Sequence, residues 1–193
     1  MLEFIEHIGY TEIVIPSQLQ AELDAADTVL QQGEPSKSSP AIKVPRDNIT
    51  LYEFPQDPES SSRQNAAEKL VKEFWPGKLN PRFHWQFMDL LLEKGVLGTP
   101  IDHKNIYIPR PLPSGDQKRR VVIANGNKKS QKIVEWDSSK AYSLEPGVHI
   151  LPFPPDNKPF RTWLLTIRCT GENMQRGTEA VETLGVSRDN CSR

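Results

Sequence analysis

An α+β fold is predicted for this 193-residue chain, with an amphipathic N-terminal helix and a central helical hairpin packed on a C-terminal antiparallel β-sheet. Three observations predict it. Apolar residues recur at helical spacing in the first half. Pro76-Gly77 and Asn80-Pro81 punctuate that pattern as a helix stop and a helix start. Beyond Pro100 the apolar period falls to two residues around an Asn125-Gly126 turn.

Ser17 and Gln20 stand at capping-box spacing, and Leu19, Leu23, Ala26 and Leu30 follow at steps of 4, 3 and 4 before Gly33. The opposite face carries Glu22, Asp24 and Asp27, so this helix is acidic along its polar side and must bury its stripe against something. Residues 34–47 are rich in Pro, Ser and charge, the composition of a linker, and 49–54 alternate as one short strand. Ala67, Leu70, Val71 and Phe74 set a helix over 62–75. Asn80 as N-cap and Pro81 behind it open the next, which runs to Gly95 at its C-terminal cap. Phe83, Trp85, Phe87, Met88, Leu90, Leu91 and Leu92 ring most of that helix, which puts it at the centre of the core.

Strands are expected over 105–108, 119–124, 131–136, 148–153 and 160–168. The second and third form a hairpin, because Asn-Gly accepts positive φ at low cost. In the last, Trp163, Leu165 and Ile167 alternate with Thr162, Leu164, Thr166 and Arg168. The resulting division is an acidic helical segment over 1–35, a linker and short strand over 36–62, an α+β core over 63–170, and a partly disordered tail over 171–193.

A chain of this length buries roughly 70% of its unfolded surface and needs no covalent staple. Cys169 lies in an apolar run and Cys191 near the C-terminus, with nothing to pair them, so a reducing compartment is expected. The N-terminus lacks the basic flank and apolar stretch of a secretory signal, and no run approaches the length of a membrane span. The expected protein is cytoplasmic or otherwise intracellular, with no membrane partner.

Charge is segregated. Residues 1–36 hold seven acids and no Lys or Arg, whereas Lys104 to Arg168 hold twelve Lys and Arg against five Asp and Glu. Such asymmetry speaks of partners rather than chemistry. The leading reading is therefore a non-enzymatic binding or regulatory module whose acidic helix docks Leu19, Leu23, Ala26 and Leu30 on a protein partner or a second copy of the chain. A second reading gives Lys118, Arg119, Arg120, Lys128, Lys129 and Lys132 of the basic hairpin to nucleic-acid phosphates. Against it stand cations that merely guard a sheet edge, or that meet the acids of the same chain. Tyr107, Trp136, Phe153 and Trp163 offer stacking surfaces, although such aromatics more often fill a core.

A third reading is a metal-dependent enzyme on a β scaffold. Among His7, His84, His103 and His149 no two have ligand spacing; a triad of Asp102 or His103 with His149 lacks the usual two-residue step, since neighbours on a strand face opposite ways. No Gly-x-Ser-x-Gly or phosphate loop is present. No catalytic residue, metal ligand or cofactor site is assigned, and the balance leans away from an enzyme.

Overall fold

The computed structural model describes residues 8–31, 49–54, 60–75, 85–112, 119–126 and 130–168. In chain order they form β1 (Tyr10–Val14), α1 (Ser17–Gln31), β2 (Thr50–Glu53), α2 (Ser60–Phe74), β3 (Trp85–Lys94), β4 (Leu97–Gly98), β5 (His103–Arg110), β6 (Arg119–Asn125), β7 (Gln131–Trp136), β8 (Lys140–Leu144), β9 (Val148–Pro152) and β10 (Phe160–Arg168). The tail over 171–193 and most of the linker lie outside the described residues.

Two antiparallel sheets result, one ordered β1-β8-β5-β10-β3-β2 and the other β4-β9-β6-β7. The pairing is concentric: β3 with β10, β4 with β9, β5 with β8 and β6 with β7. A chain folded double at the β6–β7 turn, whose paired halves alternate between two facing sheets, is a jelly roll. The strands β1 and β2 extend its larger sheet at either edge.

This architecture corrects the predicted α+β fold. The second helix of the expected hairpin is a strand, β3, paired on both sides within the large sheet. Phe87 packs in the layer beneath the helices, and Met88, Leu90 and Leu92 in the layer between the sheets. A strand covered on both faces is apolar throughout, and periodicity cannot distinguish that from a buried helix. Gly95 does end the segment, but as a turn residue at φ 106° between β3 and β4; a Cβ there would lie 2.6 Å from the Ile49 side chain.

Two cores follow. Between the sheets lie Leu92, Tyr107, Val121, Ile123, Trp136, Tyr142, Leu144, Ile150 and Phe160. Trp136 stacks on Tyr142 with centroids 5.2 Å apart, touches Phe160 at 4.9 Å, and donates its indole N–H to the Arg161 carbonyl at 3.0 Å. On the other face of the large sheet, Ile106, Ile108, Trp163, Leu165 and Ile167 meet α1 and α2.

The acidic helix is part of that second core. It opens at Ser17 as its sequence requires, but Leu19 and Leu23 are 4% and 0% exposed and Ala26 packs behind them against Leu70 and Val71 of α2 and the sheet. The stripe is thus covered by its own chain, and the reading of a helix offering Leu19, Leu23 and Ala26 to a partner is withdrawn. The Leu30 side chain lies outside the described residues.

Candidate functional site

Of the six hairpin cations, Lys118, Lys128 and Lys129 lie outside the described residues. Arg119 is 8% exposed. Arg120 grips Asp156 through Nε at 3.1 Å and Nη2 at 2.8 Å, with its guanidinium over the Phe153 ring. Lys132 sits over the Tyr10 ring, and a hydrogen bond and charge attraction to the Tyr10 hydroxyl hold its ammonium pKa above the ordinary value. Tyr107, Trp136 and Trp163, weighed for base stacking, are buried in the two cores.

The histidines do not converge. His103 opens β5 on the inward register of Asn105 and Tyr107, with Nδ1 2.6 Å from Asp102 Oδ1. That hydrogen bond, with Arg168 Nε 3.4 Å from the other oxygen, holds the Asp102 carboxyl below the usual range. His149 alternates with the inward Val148 and Ile150 and therefore lies on the outer face of the small sheet. Its ring covers Gly98, where a Cβ would meet Nδ1 at 2.9 Å. His103 and His149 are on opposite sides of that sheet, and among the described residues no three His, Cys, Asp or Glu come together. The donor set needed for an interior metal is not supplied by these side chains.

A buried ionic network, which sequence reasoning missed, joins the helices to the large sheet. Asp89 of β3 accepts from Arg161 Nε at 2.9 Å and Nη2 at 2.7 Å, from Arg63 Nη1 at 2.7 Å, and from the Trp163 indole at 3.1 Å. Arg161 continues to Asp27 of α1 at 2.7 Å, and Arg110 reaches Asp27 at 3.2 Å and Asp24 at 2.8 Å. Burial opposes the Arg161 charge, but Asp89 and Asp27 more than offset it and the guanidinium pKa is raised. Arg110 Nη1 has no hydrogen-bond partner, yet its guanidinium lies 4.7 Å from the centre of the Trp163 ring, a cation–π contact. The only sequence signal for this network was the acidic face of α1.

Above Arg110 and Arg161, where β5 and β7 end and β6 and β10 begin, a cleft of about 350 Å³ opens at the mouth of the sandwich. Trp136, Phe160 and Leu112 provide apolar wall, Pro109 and Pro111 stiffen one lip, and Arg119, Glu135, Asp137 and Ser138 bring polar groups. Asp137 is itself fixed, accepting from the Ser139 N–H at 2.9 Å. An apolar wall with a few charged groups at a barrel mouth is the usual make-up of a small-molecule site.

No family model matches this sequence, and no curated protein matches it. Solved structures with a similar chain course do exist. A putative oxygenase from Shewanella oneidensis is 11% identical with a TM-score of 0.48, covering 95% of this chain and 94% of that one. A prolyl hydroxylase from Trichoplax adhaerens, in complex with a hypoxia inducible factor peptide, is 11% identical with a TM-score of 0.47, covering 95% and 90%. An oxidoreductase of the 2OG-Fe(II) oxygenase family from Burkholderia pseudomallei is 8% identical with a TM-score of 0.48, covering 85% and 86%. At these scores the likeness assigns no chemistry to this chain. Among the described residues, no helix is long and apolar enough to cross a membrane.

Proposed function

We propose that this jelly roll takes a small molecule into the cleft at the mouth of its sandwich, as an enzyme or a binding protein on a β scaffold does. One observation carries the reading: the cleft of about 350 Å³ combines the Trp136 and Phe160 wall with Arg119, Glu135 and Asp137 at its rim. Its size falls within the range of ligand pockets, roughly 300–1,000 Å³. The walls are preorganised, since Trp136 is locked by aromatic neighbours and Arg161 by two carboxylates. Of the sequence readings, the one that placed chemistry on a β scaffold is closest to this arrangement, with the site at the mouth instead of at a metal.

The test is a thermal-shift screen of small carboxylates, phosphates, sugars and amino acids against the chain and its Ser138→Trp variant. Ser138 is half-buried in the cleft lining, so the indole fills the cleft without opening the core. A ligand that stabilises the parent at ten times its Kd raises stability by about 1.4 kcal/mol. The expected result is a hit that the variant no longer binds. No hit, or hits that Ser138→Trp leaves unchanged, would remove the cleft as the site.

A further inference from the structure

Below the mouth, at the other end of the inter-sheet core, three polar side chains meet in apolar surroundings. Thr99 follows β4 and is pinned by its backbone, its N–H donating to Val148 O at 2.8 Å and its carbonyl accepting from Gly147 N–H at 2.9 Å. Asn105 and Tyr107 lie on the inward register of β5. Thr99 and Asn105 are each 3% exposed and Tyr107 is 0% exposed. Asn105 Nδ2 donates to the Tyr107 hydroxyl at 3.2 Å. Asn105 Oδ1 has no hydrogen-bond partner, and Thr99 Oγ1 has none of good geometry, its hydroxyl making only a weak contact with the Tyr107 phenol that works against burial in lowering that group's pKa. Burial pushes the Tyr107 phenol up to about 12; like any neutral phenol, it has a proton to donate.

The balance of donors and acceptors defines what completes this cluster. Asn105 Oδ1 requires a donor, the Tyr107 O–H requires an acceptor, and the Thr99 hydroxyl serves as either. None of the three carries formal charge. The imidazole and carboxylate at the start of β5, His103 and Asp102, hydrogen-bond each other at 2.6 Å, so a divalent cation held by the three neutral groups alone would lose its hydration at a cost far above what two or three neutral oxygens return. A water molecule both donates and accepts and needs two to four partners, a demand that matches what these three groups leave open. We infer that the Thr99, Asn105 and Tyr107 cluster is an internal site for one water, and that this neutral site, not a metal centre, occupies the polar end of the sandwich interior.

A high-resolution crystal structure of the full chain from crystals soaked in zinc chloride, with data collected at the zinc edge, tests this. The expected result is a solvent peak about 2.7–3.1 Å from both Thr99 Oγ1 and Asn105 Oδ1 without anomalous signal. An anomalous peak about 2.0–2.2 Å from either atom would overturn the inference. So would the absence of any peak with both side chains bonded elsewhere in the protein. Zinc confined to the half-buried pair Asp102 and His103, with water density in the cluster, counts in its favour.

Discussion

Asp89 is one junction of the buried ionic network, holding Arg63 and Arg161 together on β3. Its carboxylate faces Arg63, Arg161 and the Trp163 indole, all buried, so removing it takes one of the two carboxylates from Arg161 and an ion pair from Arg63 within an apolar layer. Breaking a buried pair at one partner typically costs about 3–5 kcal/mol, because the remaining charge stays desolvated. Asp89→Ala should therefore lower the urea midpoint by that equivalent, and a loss below about 1 kcal/mol would mean that the network is open to water. Asp102 gives the opposite case, an exposed carboxylate whose pKa is lowered mainly by the His103 hydrogen bond. A group depressed in the folded state contributes stability above its unfolded pKa, about 3.9 for Asp, and loses it as pH falls through the folded value. Asp102→Asn should then be less stable than the parent chain at pH 5–6, by thermal denaturation, with the deficit shrinking as pH falls through the folded value. A deficit that does not shrink with falling pH would assign the effect to something other than this titration. Neither role was legible in the sequence. The helical reading of residues 81–95 gave Asp89 no strand neighbours, and the contact of Asp102 with Arg168 needs β10 laid beside β5.

Among the elements, the sequence marked the two helices and most strands of the second half, because turns and caps there are local signals: Ser17 at a helix start, Asn125-Gly126 between two strands. What escaped it were elements specified by distant partners. Trp85–Lys94 satisfies either a buried helix or a strand, and only pairing with Phe160–Ile167 on one side and Thr50–Glu53 on the other decides. Tyr10–Val14 and Lys140–Leu144 were passed over because their alternation is weak; they pair with each other across 130 residues of sequence. The helix α1 was seen correctly and given the wrong neighbour. Since Leu19, Leu23 and Asp27 cover Trp163, Ile108 and Arg161, deleting residues 1–31 should expose the outer face of the large sheet. The expected outcome is loss of the cooperative urea transition together with aggregation. A truncated chain that stays monomeric and unfolds cooperatively would restore α1 as a separable segment.

On the scale of the molecule, part of the charge segregation that suggested an external partner is met, among the described residues, inside the chain. The acidic helix answers the basic sheet directly: Asp24 and Asp27 hold Arg110, Asp27 holds Arg161, and Glu22 holds Lys69 of α2. Other cations of the basic half are also engaged, Lys104 by Glu145, Arg120 by Asp156, Lys140 by Glu12 and Arg168 by Asp102. Composition shows an excess of charge but not its pairing, which depends on how a ribbon folds double. The consequence bears on nucleic acid. Affinity for phosphates rests on cations free to displace counterions, and a protein with 6–10 such contacts loses about 10³–10⁵ in affinity between 50 and 200 mM salt. Here Arg110 and Arg161 are buried, and Arg120 and Lys132 already rest on Asp156 and Tyr10. Fluorescence anisotropy with labelled RNA and DNA should accordingly show, at most, weak association at 50 mM salt that vanishes by 200 mM, without preference for sequence. Tight binding that persists at 200 mM and falls when Lys128 and Lys129 are changed to Ala would instead make the hairpin a phosphate-binding surface and the pairing of Arg120 a reserve released on contact.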